Sequence, residues 1–419
     1  MAEGMLLPTT SAQVSGHKFL VRRIEHGLVM GDVRMIHDPL GRRRRAVVFG
    51  AVACIMLIIG SVVFAIFKPA QDPSDAPLIR AESGALFVRL EDAVHPVANI
   101  SSARLILGEA VEPVNASDTI IAEFPRGVPV GLADAPGIFS PQDTPVQQWF
   151  LCQEENSGEI HVLAENTEQQ TGQLGERQAV LGASKSDNGE LHWHVVSADG
   201  RRQLPAAESP EGRIIRRHLQ IDEDTPRFFL STELLNAIPE RNPIALPQSL
   251  PEIVDAGARS WVRAEGELRE ISALQRAMLI DAGAAHSVDN TALLGVHKEG
   301  DHRFHLPEHA PNFLDLNNQV LCADGKGQIF SSEQLKPGVA LSGDAVASTF
   351  ISDAPGAVGV DSGFGYYVVA DTGLMHAVSD GETLNVLGMN EIAQVPWTVL
   401  KVLPYGSDLS REKALVSAY

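Results

Sequence analysis

Hydrophobic and polar positions change their spacing sharply along this chain. From Ala46 to Phe67 the run AVVFGAVACIMLIIGSVVFAIF carries no charge over 22 residues. As a helix rising 1.5 Å per residue it spans roughly 33 Å, enough for a ~30 Å hydrocarbon core. Upstream, apolar residues recur at helical spacing, and a helix is predicted from about Gly16 to His37, capped by Ser15 and stopped by Pro39. Leu20, Ile24, Leu28 and Met35 form one stripe, widened by Val21, while Lys18, Arg22, Glu25 and Asp32 lie on another face. Phe19, Val29 and Val33 fall off that stripe, so the arm is apolar on more than one side.

Downstream, alternation with period two takes over. Leu86, Val88 and Leu90 alternate in one segment, and Tyr366 and Val368 in another. Residues 191–205 read as a strand followed by an Asp-Gly turn, and 258–283 as a strand leading into a helix. The segment 83–108 can be laid beside 362–388. Each opens Ser-Gly, continues as a strand, and places a histidine (His95, His376) after a turn. ADAPGIF (133–139) likewise echoes SDAPGAV (352–358). The echoes run in reverse order about the middle of the chain, which predicts quasi-two-fold repeats flanking a shared β core.

Charge sets the topology of the apolar run. Arg42, Arg43, Arg44 and Arg45 abut its N-terminal side, and Lys68 alone follows it. Positive residues stay on the cytoplasmic side, so residues 1–45 are expected inside and 70–419 outside, joined by the spacer 68–76. A cleaved signal peptide would be shorter, closer to the start and followed by small residues; Phe67, Lys68 and Pro69 do not fit. Residues 69–419 hold 24 basic and 49 acidic side chains, a net −25 that repels phosphate backbones and argues against nucleic-acid binding. Aromatics are scarce at 5%, while Gly (36) and Pro (25) are frequent, a balance favouring short strands and turns over long helices.

Cysteine placement agrees with an oxidising outer compartment. Cys54 lies inside the apolar run; Cys152 and Cys322, at the strand ends WFLC and QVLC, are expected to form a disulfide, against the alternative of two separate buried thiols. Catalytic motifs are missing. No G-x-x-x-x-G-K-[ST] loop occurs, and ADGKGQ (323–328) lacks its spacing. No G-x-S-x-G occurs, and Ser362 sits in a turn-like stretch. His192 with His194, and His302, His305 and His309, invite a metal reading, but Pro307 interrupts the second group, and no metal is expected at either. Glu154 with Glu155, and Asp222, Glu223 and Asp224, read as solvated loop charges.

The stretch TTSAQVSGHKFLVRRIEHGLVMGDVRMIHDP (9–39) closely resembles the N-terminal signature of the EccB family, a membrane component of type VII (ESX) secretion systems; His17 stands where the family usually has an aromatic. The resemblance continues in SGALFVRLEDAVHPVANISSARLILG (83–108) and VPWTVLKVLPYGSDLSREKAL (395–415). It implies a single-pass membrane protein with a cytoplasmic arm (1–45), a transmembrane helix (46–67) and a linker (68–82). Beyond these it implies an elongated β-rich α+β outer domain with four repeats around a central core. The repeats are placed at 83–132, 176–255, 256–310 and 362–419, and the core strands at 133–175 and 311–361. The implied role is structural, as a homo-oligomer working with EccC, EccD, EccE and a mycosin protease. Phe19, Leu20, Arg22, Arg23, Ile24, Leu28 and Met35 are the expected residues docking the two-sided arm between partner proteins, the alternative being an arm that lies on the inner leaflet, helped by its arginines. Two alternatives stand beside it: an ATP-hydrolysing component, since members of the family have been described as ATPases and ATP would then be bound, and a cell-wall-binding module.

Overall fold

A computed structural model describes residues 10–31, 33–34, 39–66, 72–141, 143–166, 173–186, 188–264, 267–288 and 305–416. The chain divides into two compact bodies, Met1–Gln71 and Asp72–Tyr419.

The first body holds helices α1 (Ser11–Met30) and α2 (Pro39–Ile66). The start of α1 differs from expectation. Thr10, not Ser15, is the N-cap, because Thr10 and Gln13 form a reciprocal capping box that satisfies two free amides. The helix also ends early, at Gly31, whose left-handed conformation closes the last turn onto the Gly27 carbonyl. Pro39 opens α2 and does not stop α1; a proline is tolerated in a first helical turn because its missing N–H has no acceptor there. Within α2 the segment Arg42–Phe64 is long and apolar enough to cross a membrane, and none of it is buried by protein.

Among the described residues, the second body is built from five mixed sheets. In chain order it opens with β1 (Leu78–Ala81), β2 (Leu86–Leu90), β3 (Ala93–Val97), α3 (Ile100–Leu107), β4 (Val114–Ala116) and α4 (Asp118–Ile121). The hairpin β5 (Gln148–Glu154) and β6 (Ile160–Glu165) follows. Then come β7 (Gln178–Lys185), β8 (Leu191–Ser197), β9 (Gly200–Gln203), α5 (Pro210–His218), β10 (Arg227–Phe229) and α6 (Thr232–Ala237). Next are β11 (Glu252–Ala256), β12 (Arg259–Ala264), β13 (Glu267–Ile271), α7 (Ala273–Asp281), β14 (His286–Val288) and β15 (Asn312–Phe313). The strands β16 (Val320–Ala323), β17 (Ile329–Ser332), β18 (Val339–Ala340) and β19 (Thr349–Ser352) return to the centre. The chain closes with β20 (Val358–Asp361), β21 (Tyr366–Val369), β22 (Met375–Val378), α8 (Gly381–Val386), β23 (Ile392–Gln394), α9 (Trp397–Leu400) and α10 (Arg411–Ala414).

Four units share one path: an antiparallel three-strand meander, a helix, and a last strand returning parallel to the first. The first, second and fourth then add a short helix and an extended segment that runs parallel to the third strand, as in Val94↔Arg126, Arg201↔Glu240 and Met375↔Tyr405. The strands β1 and β20 end before the boundaries read at 83 and 362, and β11 runs into the one at 256.

The units pair through their helices. The first and fourth share a core of Leu105 and Ile106 with Leu384 and Leu387, where α3 meets α8 and α10. The second and third share Ile215 and Leu219 with Met278 and Leu279, where α5 meets α7. Between them lies the six-stranded sheet β17-β16-β5-β6-β19-β18. One face buries α6 and α9 through Leu234, Val399 and Leu400. The other carries Phe150, Leu163, Phe330 and the Cys152–Cys322 disulfide, whose two residues lie directly opposite each other on β5 and β16. Closing a loop across 170 residues, that bond stabilises by roughly 5 kcal/mol in the chain-entropy model.

The sequence echo of 83–108 and 362–388 has a physical basis. Asn99 and Asp380 cap α3 and α8 identically, each accepting from the backbone and the hydroxyl of the residue three on, Ser102 and Thr383. His95 Nδ1 donates to the Val128 carbonyl (3.0 Å) and His376 Nδ1 to that of Ser407 (2.8 Å). A Cβ on Gly127 would fall inside the His95 ring, and one on Gly406 against the His376 ring. The shorter echo is a direct contact: Phe139 bridges Ala357 in parallel, and the Ser140 N–H donates to the Ala357 carbonyl. Gly406→Ala is therefore expected to destabilise the outer body by about 1–3 kcal/mol, the usual cost of overpacking. Combining it with His376→Ala should give less than the sum of the two losses. Denaturant unfolding of the full chain in detergent checks this; additive losses would contradict the steric latch.

Candidate functional surfaces

Among the described residues outside α2, the arm leaves a run of large apolar side chains open. On α1, Leu20, Ile24 and Leu28 line one side with Val14 and Val21 beside them, and Phe19 and Met30 lie on another; Leu28 is 81% exposed. Arg22 and Arg23 are exposed between these faces. Val33 folds back against Gly27, where a Cβ would collide with it. The structure thus places Phe19, Leu20, Arg22, Arg23, Ile24 and Leu28 together on one short helix. Met35 and Lys68 lie outside the described residues. Contiguous exposed apolar surface of this kind marks a protein or membrane contact. Arg42, Arg43, Arg44 and Arg45 are all exposed in the first turns of α2.

In the outer body the histidines singled out in the sequence do not converge. His192 and His194 stand on the same strand, but each is engaged locally. Gln203 Nε2 donates to His192 Nδ1 (3.3 Å), and His194 Nε2 meets the Ser184 hydroxyl (3.0 Å). Burial first, then Arg201 and His192, pushes the His194 pKa down to about 4, so its ring is neutral in the fold. His305 and His309 are exposed, and His302 lies outside the described residues. Sequence reasoning missed a different group. Glu154, Glu159 and His161, at the turn end of the β5–β6 hairpin, bring their ligand atoms within 4.8 Å of one another. Burial lowers the His161 pKa while Glu159 and Glu154 oppose it. Only the hairpin register joins these residues; Glu159, just before β6, and His161 on it are two apart in sequence, and that i, i+2 spacing was the available signal.

The loop nearest to a phosphate cradle is spoken for. Asp324 Oδ1 accepts the backbone N–H groups of Lys326, Gly327 and Gln328, the amides that an anion would need. Ser362 donates its hydroxyl to the Gly365 carbonyl within a hairpin turn. Asp222 Oδ1 accepts from the Asp224 backbone and the Thr225 hydroxyl, a local turn.

Comparison with known proteins matches residues 6–297 and 302–418 to the family model for "Type VII secretion system ESX-1, transport TM domain B". The chain is 29% identical to the ESX-3 secretion system ATPase EccB3 of Mycobacterium tuberculosis, over 97% of this chain and 89% of that protein. It is 33% identical to the ESX-1 secretion system ATPase EccB1 of Mycolicibacterium smegmatis, over 57% of this chain and 50% of the other. The fold matches a chain in the structure of an intact ESX-5 inner membrane complex, with a TM-score of 0.63 at 23% identity, covering 99% of this chain and 96% of that one. It also matches the structure of an EccB3 dimer from the ESX-3 core complex, with a TM-score of 0.66 at 20% identity, covering 81% and 100%.

The neutral His194 makes stability depend on pH with a definite sign. With a folded pKa of about 4 against an ordinary 6.5, the unfolded chain binds the proton more readily. The contribution is whole above 6.5 and is lost as pH falls towards 4, on the order of 2–3 kcal/mol. Unfolding of the full chain between pH 7 and 4 should show this slope, and His194→Gln should flatten it.

Proposed function

The chain belongs to the EccB family of type VII secretion membrane proteins, and from that membership we propose that it is a structural component of an ESX inner-membrane secretion complex. On this reading the arm lies in the cytoplasm, α2 crosses the bilayer once, and residues 72–419 stand on the outer side. The arm carries the proposal, since α1 exposes large apolar side chains on more than one side and would need partners to cover them. EccC, EccD and EccE are the partners the family implies, with a mycosin protease meeting the outer body. Copies of this chain pair there, a reading supported by the fold shared with the EccB3 dimer. The four units, each begun at its first strand, are read as copies of one repeat on the strength of their common strand order.

Replacing Ile24 and Leu28 together by Asp, or deleting residues 9–39, should abolish co-purification with EccC, EccD and EccE while leaving the unfolding of the outer body unchanged. A complex of normal size on native gels would remove the docking role from the arm.

The relatives named as ATPases support a second reading, in which the outer body hydrolyses ATP. Against it stand the lack of a Walker A loop and the internal use of the amides at 326–328. Full chain purified in detergent is expected to show no ATP turnover that saturates with substrate and travels with the protein through successive columns. Turnover meeting both conditions would favour the enzyme.

A further inference from the structure

Aromatic side chains make up only 5% of this chain, so a surface on which several of them meet is not a product of composition. The fourth unit carries such a surface. Trp397, the first residue of α9, stacks on Tyr367 of β21 with 5.6 Å between ring centroids and 27° between ring planes. On its other side stands Tyr405, from the extended segment beside β22, at 6.4 Å and 58°. Tyr367 reaches back along its strand, so that a Cβ on Gly365 would lie 3.6 Å from the Tyr367 hydroxyl. Gly365 follows Phe364, which is 89% exposed between β20 and β21. Tyr405 is 46% exposed, while Tyr367 and Trp397 are half-buried at the margin of the core around Val369 and Val399.

The polar atoms of this row are free and open. Tyr367 Oη, Trp397 Nε1 and Tyr405 Oη make no hydrogen bond with a described residue, and none is sealed from solvent. Burial first, then Tyr367 and Asp344, raise the Tyr405 pKa, so the phenol keeps its proton and can donate. Asp344 is itself exposed and pairs with no cation among the described residues. The row thus offers hydrogen-bond donors along its length and an unneutralised carboxylate at the Tyr405 end.

Tyr367 and Trp397 turn their faces towards each other, so the row presents ring edges in succession. A sugar, which stacks on an open ring face, gains little from that arrangement. A polyproline II helix suits it. Pyrrolidine rings pack against aromatic ridges, and the backbone carbonyls, which have no internal partner, accept from indole and phenol donors. Proline has no N–H, so the ligand asks for no acceptors in return. At roughly 3.1 Å per residue, about four residues cover two ring-to-ring steps of this size. Asp344, in a strongly acidic body, adds a preference for a cation beside the prolines. We propose that the row formed by Phe364, Tyr367, Trp397 and Tyr405 docks a proline-rich segment of a partner protein, with a lysine or arginine of that segment placed at Asp344. The inference goes beyond the scaffold reading, and because the row is complete within one copy of the chain it stands or falls without assembly of the complex.

The test uses full chain in detergent and fluorescein-labelled peptides read by anisotropy. Decaproline with a lysine at each end should bind with saturation at a Kd below about 1 mM. A glycine–serine peptide of the same length and with the same lysines should bind at least tenfold more weakly. Trp397→Phe keeps a ring and removes the donor, and should weaken binding about threefold or more, the usual worth of one hydrogen bond. Asp344→Lys changes an exposed, unpaired side chain and leaves the melting temperature unchanged. It should weaken the lysine-ended peptide about threefold or more, and decaproline with uncharged ends not at all. In chain labelled with 5-fluorotryptophan, the lysine-ended peptide should also move the Trp397 resonance, assigned with Trp397→Phe. The proposal is overturned if that peptide does not saturate, if the glycine–serine peptide binds as well, or if both variants bind like the parent. It is also overturned if chitotetraose moves the Trp397 resonance and the proline peptide does not, which would make the row a carbohydrate platform.

Discussion

The outer body depends on one pairing, the antiparallel contact of β5 with β16 that sets Cys152 opposite Cys322. These strands are 170 residues apart in the chain, and everything between them is a single closed loop. That loop contains the second and third units in full, so they fold against each other as neighbours in sequence. The first and fourth units lie on either side of the loop and meet only because its ends are held together. Closing so long a loop is entropically costly. The covalent bond, the strand pairing and the buried face around Phe150 and Phe330 offset that cost at one place.

From this constraint it follows why half of the repeat pattern was legible and half was not. The first and fourth units share chemistry as well as path: the Asn99 and Asp380 caps, the His95 and His376 rings, and the glycines beneath them. Such fixed residues survive as visible echoes. The second unit solves the same problem with other atoms. There Arg201 occupies the third strand, donating Nε to the Leu235 carbonyl and pairing with Glu240, while Gly200 lets the Pro239 carbonyl approach. Strand order is kept and side-chain identity is not, so alignment by eye finds nothing to hold. The same logic explains α1: both Thr10 and Ser15 could cap a helix, and Gln13 decided for Thr10 by closing the box.

Function was readable where it is written in hydropathy and hidden where it is assembled. The uncharged run, its arginine flank and the two-sided apolar arm are local patterns, and the structure places them on two helices. The junction around Trp149 has no local signature, because residues 147–149, 241, 324–328 and 392–396 become neighbours only through the central sheet. Its turn did draw notice as a glycine–lysine stretch. The fold gives that stretch a different meaning, with Asp324 holding the backbone closed and Lys326 reaching the Gln394 carbonyl of β23.

The pairing of the first unit with the fourth also needs a reason to exclude other pairings, since all four units present an apolar helix. Arg104 supplies one. It is buried on α3, donates from Nη1 to the Leu387 carbonyl of the fourth unit, and from Nε and Nη2 to the Val111 carbonyl and Glu112 of its own. Its guanidinium also lies 5.1 Å from the centre of the Phe139 ring. Docked against another helix, that cation would keep Glu112 but lose the Leu387 carbonyl, leaving a buried charged donor unmet at a cost of about 1–3 kcal/mol. On the other pair of helices Arg217 sits at the rim, in a bridge with Asp281. A rim bridge contributes little and discriminates little. The second and third units have no need of such a device, because being adjacent in sequence already brings them together; the distant pair requires a marked partner, and a buried arginine marks it.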